Sequence, residues 1–322
     1  MANRKRSLKL HLIVILSILL MIACSTPGMA VVKGTYLYNL SSFTGTIPYE
    51  EVRIFYDRVT NEIYVSNRGE RSVRIFNENG MEIFNFGDDE NLGSIIDGQV
   101  EKDGNILLLT YVMEENGPKY LITRCNFRGD PKATIEIKNL PKEFSDISPN
   151  RLILRGEKIY LADPNKMKVV VTDINGVFKD GYDLPAILEL KEQQRADSGI
   201  GGFSVDQEGN MFFTIPVFFR AYKLTPDRQL TDFGRKGSGP GRFSVISGIV
   251  SDDEGYIYVA DKLRCVVMIF DKNFTFQNEF GYRGRKPGSL IVPSNLEIDA
   301  KGRLYVTQMR KRGISVFKIT YK

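Results

Sequence analysis

The 322-residue chain carries 44 Lys and Arg against 39 Asp and Glu, a formal net charge of +5, with one histidine, three cysteines and no tryptophan. The histidine is His11, close to the N-terminus, so no imidazole base, histidine metal ligand or Ser–His pair can form in the rest of the chain. Four of the bases cluster there too, and without Arg4, Lys5, Arg6 and Lys9 the balance is 40 to 39, which leaves no general basic footprint for nucleic acid.

Residues 1–23 read as an export signal. The four bases form a positive head, Leu12–Ile22 is apolar except for Ser17, and Met21-Ile22-Ala23-Cys24 closes the run. That run is short of the roughly 20 residues that span a bilayer. The closing tetrapeptide resembles the lipobox of bacterial lipoproteins, most specifically at Ala23 and Cys24, with Met21 where leucine is usual. The resemblance implies cleavage before Cys24, lipidation of its sulfur and acylation of the new N-terminus, because several acyl chains hold a protein to a membrane where one does not. It places the protein in the cell envelope, anchored and extracytoplasmic, with the periplasmic leaflet of an outer membrane open because Ser25 rather than aspartate follows. Residues 24–32 are then a tether reaching about 30 Å at about 3.3 Å per residue. An ordinary cleaved signal with an incidental cysteine is the alternative on the residues alone.

From residue 33 onward the chain repeats itself. Tyr256-Ile257-Tyr258-Val259-Ala260-Asp261 recurs as Glu62-Ile63-Tyr64-Val65-Ser66-Asn67, Lys158-Ile159-Tyr160-Leu161-Ala162-Asp163 and Arg303-Leu304-Tyr305-Val306-Thr307-Gln308, with weaker copies around Leu107 and Phe212. The central residues of these six copies are spaced by 43, 53, 52, 46 and 47 residues. Each copy follows a polar turn and precedes another apolar strand, an Asn or Asp turn and a strand that ends Phe-Gly at Phe86-Gly87, Phe233-Gly234 and Phe280-Gly281. A period in the forties with four short strands per unit predicts an all-β, six-bladed propeller of four-stranded antiparallel blades over residues 33–322.

Within this pattern Asp252-Asp253-Glu254-Gly255 is a turn and not a metal site, because Asp206-Gln207-Glu208-Gly209 and Asp299-Ala300-Lys301-Gly302 hold the same place. The repeated Tyr64, Tyr160, Tyr258 and Tyr305 are expected to fill space between blades. The segment 237–281, which begins GSGPGRFSVISGIVSDDEGYIYVAD and ends FQNEFG, resembles an NHL repeat, and the resemblance implies a six-bladed propeller used as an interaction platform. The last unit lacks a fourth strand after Ile314–Ile319, while the alternating segment KGTYLYNL at 33–40 is unassigned, so the N-terminal strand is expected to close the ring. Cys125 and Cys265 fall in opposite blades, too far apart for a disulfide, and are expected to be two free, buried thiols.

In such a meander the second-to-third-strand turns share one face with the connections between blades. On that face blades four to six offer Arg220, Arg235, Lys236, Arg242, Lys262, Arg264, Arg283, Arg285, Lys286, Arg310, Lys311 and Arg312, with little acid besides Asp261. The connections after blades one and three carry Asp88, Asp89, Glu90, Asp180, Asp183, Glu189, Glu192 and Asp197. The segment 184–195, LPAILELKEQQR, reads as one short helix across this face, serving either to rim the channel or to pack over blade three.

Two functions follow as expectations. The first is a monomeric binding scaffold, with no cofactor, metal or catalytic residue. It takes a protein or other anionic macromolecule on Lys262, Arg264, Arg283, Arg285, Lys286, Arg310, Lys311 and Arg312. The second is a calcium-dependent lactonase-like or esterase-like hydrolase with oxygen ligands at the channel mouth, for which the sequence shows no recognisable motif.

Overall fold

The computed structural model describes residues 32–41, 52–87, 92–115, 117–309 and 313–321. Strand β1 (Lys33–Leu40) comes first. Blade one is β2 (Val52–Asp57), β3 (Glu62–Asn67), β4 (Ser72–Phe76) and β5 (Glu82–Gly87). Blade two is β6 (Ser94–Val100), β7 (Ile106–Glu114), β8 (Gly117–Cys125) and β9 (Pro131–Ile135). Blade three is β10 (Arg151–Arg155), β11 (Lys158–Asp163), β12 (Lys168–Asp173) and β13 (Phe178–Asp183). Blade four is β14 (Gly202–Val205), β15 (Met211–Ile215), β16 (Arg220–Leu224) and β17 (Leu230–Phe233). Blade five is β18 (Ile246–Ser251), β19 (Ile257–Asp261), β20 (Val266–Phe270) and β21 (Phe276–Phe280). Blade six takes β22 (Leu296–Ile298), β23 (Arg303–Thr307) and β24 (Ile314–Thr320), and its outermost strand is β1.

The N-terminal strand therefore closes the ring as the sequence predicts. It runs antiparallel to β24, from Lys33 opposite Thr320 to Leu40 opposite Ile314. Tyr36 meets the edge of Phe317 at 5.7 Å, and Asn278 Nδ2 donates to the Val32 carbonyl at 2.8 Å. Gly34 is required here because a Cβ would stand 2.4 Å from the Phe280 ring.

Among the described residues six apolar clusters form a circle, one between each pair of adjacent blades, and a smaller seventh gathers Phe144, Ile147 and Val170. Every second strand is covered on both sides, which is why β15, β19 and β23 are buried at every position instead of alternating. Tyr64, Tyr160, Tyr258 and Tyr305 lie in these seams at 4 % exposure or less. Each such side chain contributes roughly 1.5–3 kcal/mol by burial. Cys125 and Cys265 are unbonded and buried, and burial, with Asp130 adding to it, pushes the Cys125 thiol up to about 11. The inner strands of blades four to six almost touch, since a Cβ on Gly248 would meet the Ser294 carbonyl oxygen at 2.2 Å.

Carboxylates at the turns hold the blades in shape. Asp252 accepts from the amides of Glu254 and Tyr256 and, on its other oxygen, from the hydroxyl of Tyr258 at 2.6 Å. Asp299 does the same with the amides of Lys301 and Arg303 and the hydroxyl of Tyr305, and Asp206 accepts both the backbone and the side-chain amide of Asn210. Asp163 and Asp261, which end the repeated motif, accept amides from the following turn and from the incoming connection between blades.

One expectation is corrected. The segment 184–195 forms two helices, α1 (Leu184–Ile187) and the start of α2 (Glu192–Asp197), not one. Asp183 caps α1 through the Ala186 amide, and Glu189 at φ +54 turns the backbone out of the helix before Lys191 starts the second. Leu184 is fully buried, with Ile187, Leu188 and Leu190 packed on the seam between blades three and four, so the segment is a packing element. Asp180 and Asp183 also fall within β13 rather than in the connection beyond it.

Candidate functional site

A channel runs down the axis, lined by the first strand of each blade. The register places Phe55, Gln99, Ile153, Ser204, Val250 and Glu297 at one level, each paired with the central residue of its blade's repeat motif. The level nearer the second-to-third-strand turns holds Arg53, Asp97, Arg151 and Asn295. The channel is thus polar and charged, although the blades around it are apolar.

At the mouth on that side, Arg53 reaches from blade one across the axis. It donates to Asn295 Oδ1 of blade six at 2.9 Å and to Asn150 Oδ1 of blade three at 3.4 Å. Asp97 accepts the amides of Gly98 and Leu152 and pairs with Arg151 at 3.3 Å. Lys262 lines the adjoining hollow of about 530 Å³ with Arg53 and Asn295, and burial, together with the charge of Arg53, lowers its pKa.

The residues expected to bind a partner separate into groups around this mouth. Arg283, Arg285 and Lys286 are exposed on the connection between blades five and six, and Arg235 and Lys236 on the one before it. Lys236 lies 5.0 Å from the centre of the Phe219 ring. Arg264 is turned inward at 11 % side-chain exposure and pairs with Glu279 at 2.5 Å, while Arg220 pairs with Asp232 at 3.3 Å. The acids of this region are therefore engaged by the fold: Asp261 is fully buried on backbone amides and Glu279 is held by Arg264. Arg310, Lys311, Arg312, Asp88, Asp89, Glu90 and the expected lipidation site Cys24 lie outside the described residues.

The opposite mouth, built from the first-to-second-strand and third-to-fourth-strand turns, was not singled out by sequence. Two hollows of about 560 and 540 Å³ meet there and share Arg58, Arg155 and Gln207. Arg58 of blade one makes a two-pronged pair with Asp253 of blade five at 2.9 and 3.0 Å, a strap spanning the position of blade six. That pair holds the Asp253 carboxyl below its ordinary value. Arg155 is fixed by Nε to the Val205 carbonyl at 2.8 Å and by Nη1 to the Leu154 carbonyl at 2.7 Å.

Glu297 projects into the first of these hollows. Its carboxyl is open to the lumen yet surrounded by protein, and among the described residues nothing pairs with it or bonds to it. Burial pushes it up to about 7, against the pull of Arg155, Arg151 and Arg58. Among the described residues, no group of three or more His, Cys, Asp or Glu is arranged to hold a metal ion.

No protein-family model and no curated protein sequence matches the chain. Many solved structures share its fold. A protein of unknown function from Bacteroides thetaiotaomicron is similar at a TM-score of 0.61 and 13 % identity, over 90 % of this chain and 76 % of that one. A gluconolactonase from Xanthomonas campestris gives 0.54 and 14 %, over 91 % of both chains. A catalytically inactive virginiamycin B lyase from Staphylococcus aureus with quinupristin gives 0.56 and 11 %, over 90 % of this chain and all of the other. At such identities the likeness is one of fold, and fold alone does not carry chemistry from one protein to another.

Proposed function

We propose that this propeller is a lipid-anchored, extracytoplasmic binding platform that takes a protein partner with an acidic surface on the face of blades four to six. The observation that carries the reading is the sorting of charge on that face. Bases at Arg235, Lys236, Arg283, Arg285 and Lys286 point outward, while the nearby acids Asp261 and Glu279 are turned in and bonded within the fold. A near-neutral molecule arranged this way orients an anionic partner and speeds its encounter without attracting anions from every side. Arg264 contributes by holding Glu279 back rather than by contact. Arg310, Lys311 and Arg312 are a second basic run, in the sequence between β23 and β24. Acyl chains on Cys24 keep the platform at the membrane as a monomer, with no cofactor and no nucleic acid in its work.

The test is crosslinking in native membranes followed by affinity purification. The wild-type protein is compared with a variant carrying Arg283→Glu, Arg285→Glu and Lys286→Glu, three exposed residues, and a thermal melt checks that the variant keeps the ring. A partner recovered with wild type alone supports the reading. The same set from both proteins overturns it.

A further inference from the structure

The mouth opposite the basic face presents two enclosed, opposite charges that do not meet. Arg155 ends the inner strand of blade three, and its guanidinium is turned toward blade four by the carbonyls of Val205 and Leu154. Those two bonds occupy Nε and Nη1 and leave Nη2 without a bonded partner among the described residues. Glu297 stands on the inner strand of blade six, across the axis, also without a partner. Each feels the other's charge, yet they form no ion pair. Of the other bases lining this hollow, Arg58 is already paired with Asp253, Lys223 lies 5.7 Å from the centre of the Phe212 ring and Lys272 is exposed at the rim.

A carboxylate half-buried in a channel wall and ringed by protein is expected to be paired, because its hydration is reduced and nothing replaces it. A propeller has simple ways to avoid that loss, since the same level holds Phe55, Ile153, Ser204 and Val250 in other blades. Retaining Glu297 opposite Arg155, over a hollow of about 560 Å³, is the arrangement of a site whose counter-charges arrive with a ligand.

We propose that this mouth binds a small zwitterion, a molecule bearing one ammonium and one carboxylate group, such as a free amino acid. The ammonium pairs with Glu297 and the carboxylate with Nη2 of Arg155. A simple anion would satisfy Arg155 and be repelled by Glu297, and a simple cation would meet the reverse, so only a molecule carrying both charges completes both sides. The site lies away from the basic face and does not depend on the partner proposed for it.

The experiment is isothermal titration calorimetry on the full chain. The ligands are glycine, β-alanine, 4-aminobutyrate and 6-aminohexanoate, which step the distance between the charges, with acetate, methylamine and glucose as controls. The expected result is that at least one zwitterion binds ten-fold or more tighter than every control. That binding should weaken ten-fold or more in both Glu297→Gln and Arg155→Met and be unchanged in the Arg283, Arg285 and Lys286 reversal. No binding by any zwitterion, controls that bind as tightly, or binding that survives both substitutions overturns the proposal. Glu297→Gln keeps the shape of the side chain, so a folded variant is available for the comparison.

Discussion

Replacing Glu297 by glutamine should make the protein more stable at high pH and leave it almost unchanged at low pH. Burial raises this carboxyl from an ordinary 4.5 to about 7, so the folded state favours the protonated form. Below pH 4.5 the group is neutral whether the chain is folded or not, and it costs nothing. Between pH 4.5 and 7 the unfolded chain ionises while the folded protein keeps the proton, so stability falls across that window and levels off above pH 7, where both states are charged. The gap between the two values corresponds to about 3 kcal/mol of stability lost by pH 8. For a chain of this size that is about 5 °C in melting temperature. The assay is a thermal melt of wild type and Glu297→Gln at pH 4.5, 6 and 8. The difference should be near zero at the lowest pH and should grow to several degrees in favour of the variant at the highest. Equal shifts at all three, or a variant less stable at pH 8, would refute the reasoning.

Three further outcomes test the fold. Starting the chain at Ser41 should expose the edge of β24 and lower the melting temperature sharply. Gly34→Val should do part of the same at a cost of about 1–3 kcal/mol, since its side chain runs into Phe280. Asp261→Ala removes the acceptor for the amides of Ser244, Val245, Leu263 and Arg264 and should destabilise by about 2–4 kcal/mol in urea unfolding, whereas exposed Glu157→Ala should change it by less than about 0.5. Cys125 and Cys265 should resist a thiol reagent in the native protein and both react once it is unfolded without reductant. Recovery of neither thiol would mean that they are oxidised.

The architecture was legible because it is written six times. The six central residues, from Tyr64 to Tyr305, all pair with the inner strand at the same level, so a period read along the chain became a ring in space. The turn carboxylates were legible for the same reason, since Asp206, Asp252 and Asp299 each do one local job. Glu297 was hidden because Leu296-Glu297-Ile298 alternates like any half-exposed strand. Its polar side looks toward solvent until five other blades surround it, and only the closed ring turns that side into a channel wall. Arg264 misleads in the opposite way, because it follows Asp261 in an open turn and only the pairing of β20 with β21 brings Glu279 beneath it. The single helix expected over 184–195 failed on one backbone angle at Glu189, which nothing in that residue's type announces.

Closing the circle with the first strand sets an order of assembly. The six inter-blade seams join neighbours in sequence, except the one that joins blade six to blade one, and β1 pairs with residues some 280 positions further along. Bringing those ends together costs about 3 kcal/mol more in chain entropy than closing a ten-residue hairpin. Blades two to five can therefore form as the chain emerges, while Lys33–Leu40 waits unpaired for the last residues to arrive. Locking comes last in this order, and a ring left unlocked is an open arc with an apolar blade face bare at each end and the edge of β24 unpaired.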